Sequence, residues 1–126
     1  MYEEDIILYL LKECGRLHPF HISRLIALLD LFYLKEKGEK ITTFKYQKMP
    51  FGFYIEKLPD ILKDMPLEKI EEEGYKYLKI RDDAKVKINL PDEVRMRIDK
   101  ILDEVRDLSD SELNAKVLIA EYYSKL

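Results

Sequence analysis

Apolar positions recur at helical spacing near both ends of the chain, and shorter stretches with a two-residue period lie between them. In residues 2–13, Ile6, Tyr9 and Leu10 share one helical face, Ile7 and Leu11 widen it, and Gly15 supplies a stop. His18-Pro19-Phe20 breaks the pattern, because a proline disfavours helical geometry in the residue before it. A second helix is predicted over residues 21–37, and Ile22, Leu25, Ile26, Leu28, Leu29, Phe32, Tyr33 and Leu34 cover most of its circumference. A helix that is apolar nearly all round is buried on several sides, so residues 22–34 should be the central element.

Gly38 closes that helix. In residues 41–46, Ile41, Thr43 and Lys45 alternate with Thr42, Phe44 and Tyr46, which predicts one short strand. Residues 53–65 read as a third helix, one that starts near Leu58 if Pro59 is to occupy a first turn. Two period-two runs, 75–80 and 84–88, flank the polar triplet Arg81-Asp82-Asp83 and predict a β-hairpin. Pro91-Asp92-Glu93 opens a fourth helix with Val94, Ile98, Ile101, Leu102 and Val105 at core spacing. Ser109 and Glu112 have capping-box spacing at the start of a fifth. The expected class is α+β, mostly helical, with helices packed around the central apolar one and a short strand and hairpin attached. Helices followed by a hairpin also give a winged-helix-like outline. At 126 residues, without a linker or repeat, residues 1–126 should form a single domain.

Composition narrows the function classes. No apolar run approaches bilayer length and the N-terminus begins with acids, so the expectation is a soluble, cytoplasmic protein without membrane contact. The single cysteine, Cys14, excludes an internal disulfide, and its leucine-rich surroundings suggest a buried thiol. Amide side chains number only three, Gln47, Asn89 and Asn114, a bias seen in thermophile proteins. His18 and His21 have no second group of ligands at metal spacing, Glu71-Glu72-Glu73 has the look of a solvated face, and no histidine stands ready to activate Ser109 or Ser111. No catalytic residue, metal site or cofactor is therefore expected, and the chain reads as a non-enzyme.

Charge and aromatic content supply two candidate surfaces. The net charge is −3, yet residues 35–48 hold five lysines against two glutamates and residues 75–88 hold five basic side chains against two aspartates. Lys40, Lys45, Lys48, Lys76, Lys79, Arg81, Lys85 and Lys87 would suit a phosphate-tracking wing on DNA, although lysines also guard strand edges against aggregation. The acids Glu56, Asp60 and Asp64 on the third helix oppose that reading. Nine tyrosines accompany no tryptophan, and Tyr46, Phe51, Phe53 and Tyr54 crowd one turn. Rings of this kind serve either a protein interface or the core.

The order of elements and several local words resemble the Panacea domain, the SocA-like antitoxin family also described as phage-associated GepA-like. Arg24-Leu25-Ile26-Ala27-Leu28-Leu29-Asp30 with Tyr33-Leu34 resembles the family's second-helix word. Gly38 and residues 41–46 resemble its glycine and aromatic strand, Phe51-Gly52 its turn, and Leu108, Ser109, Glu112 and Leu113 the start of its closing helix. The resemblance implies a non-enzymatic module that neutralises or delivers a protein partner, such as a toxin, by direct contact. On that reading Tyr46, Phe51, Phe53 and Tyr54 would bind the partner. The alternative is a winged-helix-like transcriptional regulator that binds DNA through the 75–88 hairpin, and either function leaves a homodimer open.

Overall fold

The computed structural model describes residues 2–126, and within them helices predominate around two small antiparallel hairpins. Helix α1 (Glu3–Cys14) begins with three acids at the positive end of its dipole and stops at Gly15, whose φ of 84° favours glycine. Helix α2 (Pro19–Lys37) starts with the His18 ring accepting a hydrogen bond from the Phe20 amide and with Pro19 in its first turn. It ends at Gly38 in the left-handed conformation.

As the apolar pattern requires, α2 lies at the centre, touching α1, two later helices and one hairpin. Ile22, Leu25, Ile26, Ala27 and Leu29 are buried along it. Each large side chain among them contributes about 1.5–3 kcal/mol by leaving water. Leu28, expected in the core, is only half-buried. Helix α4 (Asp92–Val105) buries Val94, Ile98, Ile101 and Val105 at three- and four-residue spacing, and Leu102 sits at the margin. Helix α5 (Asp110–Leu118) opens with a complete capping box: Glu112 N–H donates to Ser109 Oγ at 3.2 Å, and Ser109 N–H donates to Glu112 Oε1 at 3.0 Å.

The middle of the chain departs from the sequence expectation. Residues 41–45 form no strand; β1 is Tyr46–Met49, paired with β2 (Gly52–Ile55) across the two-residue turn Pro50-Phe51. The expected 53–65 helix is reduced to α3 (Leu58–Lys63), with Pro59 in the first turn, because Phe53 to Ile55 are claimed by the ladder. The second hairpin is also placed earlier than expected. Strand β3 (Leu67–Glu72) pairs with β4 (Tyr75–Ile80), while residues 84–88 form no strand. Glu73 and Gly74 have φ of 51° and 83°, the double positive φ of a type I′ turn, whose twist matches that of paired strands. That geometry outweighs the polar triplet 81–83. The two hairpins form separate sheets, so residues 41–46 do not pair with the second one.

Cys14 is exposed rather than buried, because it lies on the last turn of α1 beyond the apolar stripe. No helix among the described residues is long and apolar enough to cross a membrane.

Candidate functional site

The β1–β2 turn is built from the inside outward. Asp30 is a lone acid in an otherwise apolar part of α2 and is 0% exposed. A charge there requires partners, and the chain following α2 folds back to provide them. Asp30 Oδ1 accepts from the Ile41 and Thr42 amides at 3.1 and 3.0 Å; Oδ2 accepts from the Thr42 and Tyr46 hydroxyls at 2.5 and 2.6 Å. Burial, and then the charge of Asp30, push the Tyr46 phenol well above its ordinary pKa, so it remains a donor. Tyr46 is thus buried scaffolding at the base of the hairpin.

Phe53 is half-buried between the rings of Tyr46 and Tyr123, with centroids 5.7 and 6.3 Å away. The tip is pinned to the C-terminal segment: Asn114 Nδ2 donates to Phe51 O at 3.1 Å, and the Tyr123 hydroxyl donates to Gly52 O at 3.3 Å. Lys48 Nζ donates to Ser124 O and Leu126 O at 3.0 and 3.1 Å. On this fixed base, Phe51 is 89% exposed and Tyr54 51% exposed. The four aromatic residues singled out in the sequence therefore divide, with Tyr46 inside, Phe53 at the boundary, and Phe51 and Tyr54 facing solvent.

An open groove of about 590 Å³ runs beside Tyr54. Its walls are the first turn of α2, β2, α3 and the β3–β4 ladder, contributing Phe20, Phe53, Tyr54, Leu58, Leu62 and Leu78. Phe20 is 63% exposed at its edge. The ammonium groups in its lining belong to Lys63 and Lys69, and no carboxylate lines it. Neither lysine has an ion-pair partner among the described residues.

The basic candidates are scattered and largely engaged. Lys40 donates to Phe44 O and lies 5.0 Å from the Tyr46 ring, while Lys48 holds the C-terminal segment. Lys79 pairs with Glu68 and Asp82, and Arg81 with Asp83. Lys76 stands opposite Glu71 in the ladder. Because β3 replaces residues 84–88 as the partner of β4, the hairpin has four glutamates against three lysines and is not the basic wing expected from its sequence. Lys45, Lys85 and Lys87 are exposed outside both hairpins.

Sequence reasoning missed Phe20, α3's share of the groove and Asp30. Asp30 had a readable signal, a carboxylate set in the middle of the apolar run of α2. Phe20 had none beyond its place after Pro19, since its exposure depends on how the hairpins pack. His21 Nδ1 lies 3.1 Å from Asp110 Oδ1, so it links α2 to the start of α5. Although Cys14 is exposed, partial desolvation by its neighbours and then the Glu13 charge push its thiol above the ordinary pKa, the wrong direction for a reactive nucleophile. Among the described residues, no three His, Cys, Asp or Glu side chains gather to hold a metal ion.

The arrangement defines a class: a small, mostly helical α+β domain that exposes aromatic rings beside an apolar groove on a rigid base. The family model of the antitoxin SocA-like Panacea domain matches residues 22–118, and the chain belongs to that family. The match includes Asp30, both hairpins and α3. No curated protein and no solved structure matches the chain.

Proposed function

We propose that this chain is a non-enzymatic, antitoxin-like module of the cytoplasm that neutralises or delivers a protein partner, a toxin in the first instance, by direct contact. The observation that carries the reading is the exposure of Phe20, Phe51 and Tyr54 around one turn and groove, the turn being held by the buried Tyr46–Asp30 bond and by Asn114 donating to Phe51 O. Exposed aromatic rings held in place by their surroundings suit a protein interface, because preorganised aromatic anchors bind at little entropic cost. Family membership supports a protein partner. The glutamates facing the hairpin lysines give no support to the DNA-binding alternative.

The test is to ask whether a toxin-like reading frame adjoins the gene and to co-express its product with this chain, followed by copurification and growth rescue. Tyr54→Ala and Phe20→Ala should each weaken the complex by about 2 kcal/mol, the threshold of an interface hot spot. Replacing Lys76, Lys79, Lys85 and Lys87 by alanine should matter less, since rim charges chiefly change association rate. Rescue that survives both aromatic substitutions would sink this reading. A duplex-DNA gel shift at low salt that disappears in the lysine variant would install the regulator in its place.

A further inference from the structure

Strand β2 pairs with β1 alone, so its outer edge carries no strand among the described residues. Glu56 N–H donates to Lys45 O at 2.8 Å, which fixes the alternation of the first ladder. Lys45 with Glu56, Gln47 with Tyr54, and Met49 with Gly52 are consequently the hydrogen-bonded pairs. Phe53 and Ile55 lie opposite Lys48 and Tyr46 at the intervening positions, so their amides point away from β1. Outside the ladder neither amide meets a backbone acceptor among the described residues. Ile55 is also only 2% exposed, and an amide without an acceptor in so buried a residue is uncommon in a finished structure.

The edge lies on the groove. Phe53, Tyr54 and Ile55 are consecutive, their side chains alternate between faces, and all three line it, as expected where a groove follows a strand's edge rather than one face. Edges are commonly protected by lysine, proline, a bulge or brevity; Gly52-Phe53-Tyr54-Ile55 has none of the first three and is four residues long. On the far wall, Leu67, Lys69 and Leu78 share one face of the second ladder and would meet the side chains of whatever lies between.

We propose that the groove takes an extended segment of the partner protein, which adds to β2 as a third strand and alternates apolar with acidic side chains. Backbone pairing with Phe53 and Ile55 would provide affinity, and the groove walls would select side chains on one face. The apolar side chains fit against Phe20, Leu58, Leu62 and Leu78, while carboxylates answer Lys63 and Lys69, the unpaired charges of the lining. This deepens the partner-binding reading and rests on it.

A random-peptide phage library panned on the full chain, followed by synthesis of the strongest clone, tests the proposal. Enriched sequences should alternate apolar residues with Asp or Glu. Binding should slow amide hydrogen exchange at Phe53 and Ile55. Methylating alternate peptide nitrogens, which removes strand hydrogen bonds but keeps every side chain, should weaken binding about tenfold or more. Lys63→Glu with Lys69→Glu should also weaken it about tenfold, through repulsion where attraction was. Failure to enrich any sequence, enrichment of basic sequences, unchanged exchange at both amides, or tolerance of methylation would each overturn strand addition. If those failures accompany loss of toxin rescue in Tyr54→Ala, the groove still binds its partner, but through side chains alone; if rescue survives Tyr54→Ala, the partner-binding reading itself fails.

Discussion

The two hairpins share a design, four to six residues a side around a two-residue turn, and are attached to the helices by opposite chemistries. The first is rooted in the interior, with Tyr46 bonded to buried Asp30, Ile55 buried and Phe53 between two rings. The second lies on the surface. Leu78, bridged backbone to backbone with Leu17, is its buried residue, Leu67 and Ile80 rest half-buried against the core, and its charged tie to the rest of the chain is Arg16, which pairs with Glu72 and stands over Tyr77. A strand pair this small needs support from elsewhere. Burial makes a rigid support that can hold exposed aromatics in place, whereas solvated charge makes a soluble one that water and salt can loosen.

The largest test of that contrast is Asp30→Ala, which strands several buried donors at roughly 1–3 kcal/mol each and should cost at least about 3 kcal/mol in chemical denaturation. A cost under about 1 kcal/mol would mean that the first hairpin does not depend on its buried root. Next, Ile55→Ala should lose about 2–5 kcal/mol as a core truncation. Ile70→Ala, at a half-buried position of β3, should lose about half of that or less, and equal losses would erase the distinction. Gly74→Ala forces a side chain into a turn at φ 83° and should cost about 1–2 kcal/mol.

Two condition-dependent effects are smaller. The native Tyr46 phenol keeps its proton at a pH where the unfolded one has lost it, because its pKa is raised above the ordinary 10.0. Its contribution is whole below pH 10.0 and is lost as pH rises from there toward the raised native value. Tyr46→Phe should therefore flatten the alkaline fall in melting temperature, and an unchanged slope would contradict the assignment. Last, raising ionic strength to about 1 M, where the screening length falls to about 3 Å, should speed amide exchange in β3–β4 more than in β1–β2.

The helices were legible because their signals are local. A helix apolar all round, a glycine stop and a Ser-to-Glu cap each declare themselves within a turn or two. The hairpins were half-legible. The 41–46 alternation was real but belonged to a segment whose amides Asp30 captures, so the strand begins only at Tyr46. Likewise, Glu71 to Glu73 looked like a solvated acidic run, and only the pairing of Glu68 with Lys79 and Glu71 with Lys76 explains acids in a strand. For the candidate site, composition pointed to the aromatic turn, but which rings face outward depends on long-range packing. Phe20 and Tyr54 line one groove although they are far apart in sequence.

Every bond that Asp30 accepts comes from a residue 11 to 16 positions further along the chain. Closing loops of about that size takes on the order of 10–100 ns, far less than the search for long-range contacts. The central helix and the base of the first hairpin can consequently assemble as one early cooperative unit, before α4 and α5 arrive to cover it. Asp30→Asn should then slow refolding more than it speeds unfolding, the kinetic mark of a contact already made at the folding barrier.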